Sequence, residues 1–135
     1  MYAYADSNME LASTDIARAY IVEAQELLVP PLIEVFKSIH VKVENVTQQI
    51  DETYISANHP DVIFLDGDYI SEGLAEGIYR VWHANPRGKL IVFCSPATAN
   101  KLSDRSMWMT TGVIPKSAGQ QRLKRLLERA IWSHE

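Results

Sequence analysis

Hydrophobic residues along this chain change their period repeatedly. Runs in which nearly every position is apolar alternate with stretches in which every third or fourth position is. Residues 1–16 are mostly small and polar without sustained periodicity and are expected to form a flexible tail. From there a first short β-type run, 19–22, precedes a segment in which Leu28, Leu32, Ile33, Phe36 and Ile39 recur at helical spacing. Pro30 and Pro31 suit only the first turn of that helix, because a later proline loses a backbone hydrogen bond and clashes with the preceding turn, so the helix is expected to begin near Val29. Residues 41–46 read as a second strand, with Thr47 capping a helix that carries Ile50, Tyr54 and Ala57 on one side and ends at Asn58, His59 and Pro60.

The run 61–66, DVIFLD, is nearly continuous in apolar residues, as expected of a central parallel strand covered on both faces. A helix follows with Leu74, Ile78, Val81 and Trp82 on one stripe, stopped by Asn85, Pro86 and Gly88. Residues 89–95 form a fourth buried run, and 97–109 read as an irregular helix anchored by Leu102, Met107 and Trp108. A fifth strand spans 112–117, and the last helix presents Leu123, Leu126, Leu127, Ala130 and Ile131 at the spacing of one buried stripe. Five successive βα units predict an α/β domain over residues 17–135, with a parallel sheet and helices on both faces.

Composition narrows the function classes. With 13 basic and 17 acidic residues, and a net charge of −4, the chain is not expected to bind nucleic acid directly. No apolar run reaches the roughly 18 residues of a membrane span, and the N-terminus lacks the pattern of a secretory signal, so a cytoplasmic location without membrane contact is expected. The lone cysteine, Cys94, sits in an apolar run and reads as a small buried hydrophobe. The four histidines, His40, His59, His83 and His134, show no metal-ligand spacing. Neither Gly67 nor Gly73 belongs to a phosphate-binding glycine loop, which disfavours a nucleotide-binding enzyme. Trp82, Trp108 and Trp132 are assigned to core packing.

In open parallel sheets ligands bind beyond the carboxyl ends of the strands, where loops converge at the point of strand-order reversal. The residues there are Glu23 after the first strand, Asp66 and Asp68 after the third, Ser95 after the fourth and Lys116 after the fifth. Three acids, a hydroxyl and an ammonium in one pocket suit phosphoryl transfer onto a carboxylate. Asp66 would be the nucleophile. Glu23, Asp66 and the backbone at Asp68 would hold a divalent cation, while Lys116 and Ser95 would pair with the phosphoryl oxygens.

On these residues, over about 18–132, the chain resembles the receiver (CheY-like) domain family of two-component response regulators. The resemblance implies a five-stranded parallel sheet in order 2-1-3-4-5, a phosphoacceptor role for Asp66, the conserved-lysine role for Lys116 and the switching-hydroxyl role for Ser95, with Cys94 competing for that last position. It also implies Mg²⁺ as cofactor, a histidine kinase or phosphotransfer protein as donor, a downstream protein partner and no enzymatic activity of the chain's own.

The departures fall at the site itself. The family places two adjacent acids after its first strand, whereas this chain has Glu23-Ala24, so one metal ligand is missing unless Asp68 supplies it. The loop after Asp66 reads Gly67-Asp68-Tyr69-Ile70 in place of the usual Met-Pro pair. Val113 stands at the aromatic switch position, and Ser117 stands where a proline follows the lysine. A pseudo-receiver, a phosphorylation-independent protein interaction module, is therefore the alternative. A small flavodoxin-like enzyme sharing only the architecture is a third. Homodimerisation is expected through the face of the fourth helix, fifth strand and fifth helix, which carries Arg122, Arg125 and Arg129.

Overall fold

A computed structural model describes residues 16–133 of the 135-residue chain. The tail expected over residues 1–16 lies outside the described residues except for Ile16, and so does His134.

Five strands form one sheet: β1 (Ala17–Val22), β2 (Val41–Thr47), β3 (Val62–Asp66), β4 (Lys89–Cys94) and β5 (Gly112–Pro115). Every neighbouring pair is parallel and the order is β2-β1-β3-β4-β5, as the resemblance implies. Each crossover carries helix: α1 (Val29–Ser38), α2 (Glu52–Asn58), α3 (Leu74–Ala84), then α4 (Pro96–Ala99) with α5 (Asp104–Trp108), and α6 (Gln120–Trp132) after β5. A short 3-10 turn, Glu26–Leu28, leads into α1, whose prolines sit in its first turn.

The strand alternation divides the core into two layers. Ala19, Ile21, Phe64, Ile91 and Phe93 face α1 and α6, meeting Leu32, Val35 and Phe36 from one helix and Leu123, Leu127 and Ile131 from the other. Tyr20, Val22, Ile63, Leu65 and Val92 face the opposite way, onto Ile55 of α2 and Ile78 and Val81 of α3. Because β3 is central, all five of its residues are buried, which explains why its sequence shows no polar alternation. Pro115 is tolerated because β5 is an edge strand, where a missing ladder donor costs little. At the far end of the sheet the Trp132 indole N–H donates to Ile39 O at 2.8 Å and the Lys89 ammonium to Ala130 O at 3.0 Å, tying down the C-terminus of α6.

Two local expectations are corrected. Thr47 ends β2 and caps nothing; α2 starts later, at Glu52, with the Asp51 carboxylate accepting the Tyr54 N–H. Ile55, not Ala57, is its buried residue, because the later start rotates the inward stripe. The segment 97–109 is two short helices, each capped by a serine, Ser95 and Ser103, and this break turns Met107 and Trp108 outward. Trp108 is 74% exposed with its ring against Trp82 of α3, so it is not a core residue. No helix among the described residues is long and apolar enough to cross a membrane.

The aromatic stack through β3 carries much of the packing. The Phe64 ring lies 5.4 Å from Phe36 and 5.2 Å from Phe93, with no exposed surface. Phe64→Ala is expected to lower stability by about 3–5 kcal/mol, the range for truncating a fully buried aromatic ring. Urea unfolding measures this, and a loss below about 1 kcal/mol would mean that the Phe36–Phe64–Phe93 stack does not hold α1 against the sheet.

Candidate functional site

Strand order reverses between β1 and β3, and the carboxyl ends of β1, β3, β4 and β5 come together there. Backbone pairing runs one bond beyond the strands: Glu23 N–H donates to Thr47 O, Gly67 N–H to Phe93 O and Lys116 N–H to Cys94 O, each at 2.9 Å. The side chains at this rim are therefore placed by sheet register rather than by free loops. A Cβ on Gly67 would lie 2.9 Å from the tip of Leu74 and 3.1 Å from Val92, so a side chain after Asp66 would have to displace Leu74.

Lys116 is the centre of the site. Its Nζ lies 2.8 Å from Asp66 Oδ1 and 2.9 Å from Asp68 Oδ2, bridging the two carboxylates. Asp66 Oδ1 also accepts the Asp68 N–H at 3.0 Å. Asp68 turns toward β4, where Oδ2 accepts the Ser95 N–H at 3.1 Å and Oδ1 accepts the Thr98 hydroxyl at 2.7 Å and the Ser95 hydroxyl at 3.3 Å. The Tyr69 ring lies 4.9 Å from the ammonium and covers it from outside. Gln49 braces that loop, donating to Tyr69 O at 2.8 Å and accepting the Ser71 N–H at 3.2 Å.

The charges are mutually adjusted. Burial alone would lower the Lys116 pKa, but the hydrogen bonds and charges of Asp66 and Asp68 outweigh it and raise it. Burial alone would raise Asp68, yet hydrogen bonds from Thr98 and Lys116, the lysine charge and the Ser95 N–H hold it below the ordinary aspartate value.

Glu23 behaves oppositely. It is 1% exposed, as is Asp66, and burial followed by the adjacent Asp66 carboxylate raises it to about 8. Glu23 Oε1 and Asp66 Oδ2 are both buried without a hydrogen-bond partner. The raised Glu23 is consistent with a shared proton between the two carboxyl groups, since Asp66 is among the causes of the shift.

The same two oxygens are the test of a divalent-cation site. A hard cation needs several oxygen ligands, and among the described residues no group of three or more His, Cys, Asp or Glu side chains is placed to hold a metal. Ala24 offers no ligand, and the Asp68 carboxylate is committed to Ser95, Thr98 and Lys116. No preformed cage of three acidic side chains is therefore present among the described residues, and a cation held by Glu23, Asp66 and the backbone at Asp68 remains an expectation.

All five residues named from the sequence, Glu23, Asp66, Asp68, Ser95 and Lys116, meet in one charged pocket. Ser95 reaches Asp68 and caps α4 rather than addressing Asp66. Cys94 is fully buried in the α2/α3 layer, its thiol pushed up to about 11 first by burial and then by Asp68, so it is a packing residue bordering the pocket. Thr98 and Tyr69 were missed. For Thr98 the available signal was its position three residues after the Ser95-Pro96 helix start, which turns both hydroxyls to one side.

No protein-family model matches the sequence, and no curated protein is similar enough to stand as a relative. Solved structures do match the fold. The REC domain of AraT, a response regulator from Geobacillus stearothermophilus, superposes with a TM-score of 0.73 at 11% identity, over 87% of this chain and 94% of that one. A CheY-like response regulator receiver domain from Methylobacillus flagellatus gives 0.68 at 15%, over 86% and 99%. A receiver domain protein from Clostridium thermocellum gives 0.69 at 11%, over 86% and 94%. The chain has the fold of response regulator receiver domains, at a sequence distance that marks it as divergent from them.

The Glu23 proton has a measurable consequence. A carboxyl raised from 4.5 to about 8 on folding contributes stability that is full below pH 4.5 and is lost as pH rises through about 8. Glu23→Gln keeps a neutral donor against Asp66 without a titrating group. Wild type should lose a few kcal/mol, at most about 4, between about pH 5 and pH 9 that the glutamine variant does not lose. Parallel stability curves for the two proteins would show that Glu23 is already ionised.

Proposed function

We propose that the chain is a receiver-type signalling module whose pocket is closed from within and which works by protein contacts that do not await a phosphoryl group. The observation carrying this reading is the Lys116 bridge. One ammonium 2.8 Å from Asp66 and 2.9 Å from Asp68 leaves the acceptor-position carboxylate 1% exposed beneath charged groups. The absence of a second acid at Ala24 supports it further, because no preformed cation site offsets the charge of an incoming phosphoryl group.

A second reading, phosphoryl acceptance on Asp66 from a histidine kinase or phosphotransfer protein, is favoured by the Asp66–Lys116 contact itself. In that step an Asp66 oxygen attacks phosphorus, an O–P bond forms as the donor P–N bond breaks, and the leaving imidazole nitrogen takes a proton. Lys116 would pair with the transferred oxygens once released from Asp68. In either reading the chain acts through a partner protein and is not itself an enzyme. The exposed Trp108, Arg122, Arg125 and Arg129 supply the surface on which a partner or a second copy would meet α5, β5 and α6.

Incubation with a small acyl-phosphate donor and Mg²⁺, followed by intact mass measurement, separates the readings. The expected outcome is no gain of a phosphoryl mass by wild type. A stoichiometric gain that Asp66→Asn abolishes would establish the second reading and remove the first.

A further inference from the structure

We infer that Asp68 is the resident occupant of an oxyanion seat, its own carboxylate filling the place where phosphoryl oxygens would be held, so that the pocket stays in its occupied arrangement without phosphorylation. The inference deepens the reading of the pocket as receiver-like and rests on it.

The seat is a set of donors contributed by two separate strand ends. The Ser95 N–H, the Ser95 hydroxyl and the Thr98 hydroxyl come from the β4 end at 3.1, 3.3 and 2.7 Å, and the Lys116 ammonium comes from the β5 end at 2.9 Å. A hydroxyl and a lysine at these two strand ends are the groups that would receive a phosphoryl group on Asp66. Here the hydroxyl is engaged by the neighbouring Asp68, and the lysine is shared between Asp68 and Asp66. Carboxylate and phosphoryl groups are alike in what such a seat reads: delocalised negative charge on oxygens that each accept more than one hydrogen bond.

The chain also holds Asp68 in position. Its backbone N–H is fixed to Asp66 Oδ1 at 3.0 Å, and the loop that follows is braced by Gln49. The Asp68 side chain is 17% exposed, so its engagement is part of the folded rim and not a surface contact. The ligand class of the seat, once the carboxylate is removed, is a tetrahedral oxyanion.

The test uses the full chain with Asp68→Ala and inorganic phosphate as the probe, read by the amide resonances of Ser95 and Thr98. Wild type should not respond, because its seat is filled. Asp68→Ala should take up phosphate saturably at roughly millimolar concentration, the range expected for a small ion held by a few hydrogen bonds, and its Ser95 amide should move back toward the wild-type position.

Phosphate also stabilises proteins by exclusion from their surfaces, so chloride at equal ionic strength is the control. Adding Thr98→Val to Asp68→Ala should weaken uptake several-fold. If Asp68→Ala does not fold, Asp68→Ser, which keeps one polar contact and still leaves room, serves in the same titration. No saturable response in either variant, or an equal response in wild type, overturns the inference. A phosphoryl gain by wild type in the mass experiment would instead remove the phosphorylation-independent reading while leaving the occupant of the seat to be decided by this titration.

Discussion

The rim of this sheet depends on one lysine answering two carboxylates. Asp66 and Asp68 are two residues apart on a turn, and both lie under 3 Å from the same ammonium. Without it, two negative charges would face each other beside Glu23 at a largely buried strand end, and removing one partner of a buried ion pair costs about 3–5 kcal/mol. The register of β4 with β5 makes the arrangement possible, since the Lys116 N–H pairs with Cys94 O and the side chain emerges level with the end of β3. The electrostatics of the pocket are in this sense a product of strand pairing.

The order of elements was legible because each strand is bounded by a change of hydrophobic period, and β3 and β4 are apolar at almost every position. What misled the reading was local. Thr47 and Asp51 are both good capping residues, and only the strand length of β2, which pairs with β1 as far as Thr47, decides between them. In the segment 97–109 Met107 and Trp108 look like anchors by hydrophobicity alone. Their outward direction follows from a helix break between Ala99 and Ser103 that shifts the phase of the stripe, and the buried residue becomes Ser106.

The members of the site were legible for a different reason: in a parallel sheet all strands end on the same side, so strand-terminal residues converge whatever their identity. Their pairing was not. Whether Asp68 joins Glu23 around a cation or turns toward Ser95 is a choice between side-chain directions on one residue, and it is decided by where hydroxyls and ammonium lie in three dimensions. Thr98 tips that choice, with the shortest of the hydrogen bonds to Asp68. Its own position depends on Ser95 starting a helix of only four residues, a feature too short to carry a hydrophobic period.

An alanine at position 24, with no carboxylate beside Glu23, sets the charge balance of the pocket. With a further carboxylate after β1, the rim would hold an excess of negative charge that one lysine cannot offset, and a divalent cation would be the natural remedy. With Ala24 there, the acids are Glu23, Asp66 and Asp68. Burial and the neighbouring Asp66 raise Glu23 to about 8, which favours its neutral form, and Asp66 and Asp68 divide the ammonium between them. The lysine offsets the two aspartates, and a raised Glu23 adds little further negative charge to the rim. The Asp68 carboxylate is left to engage the hydroxyls at the end of β4.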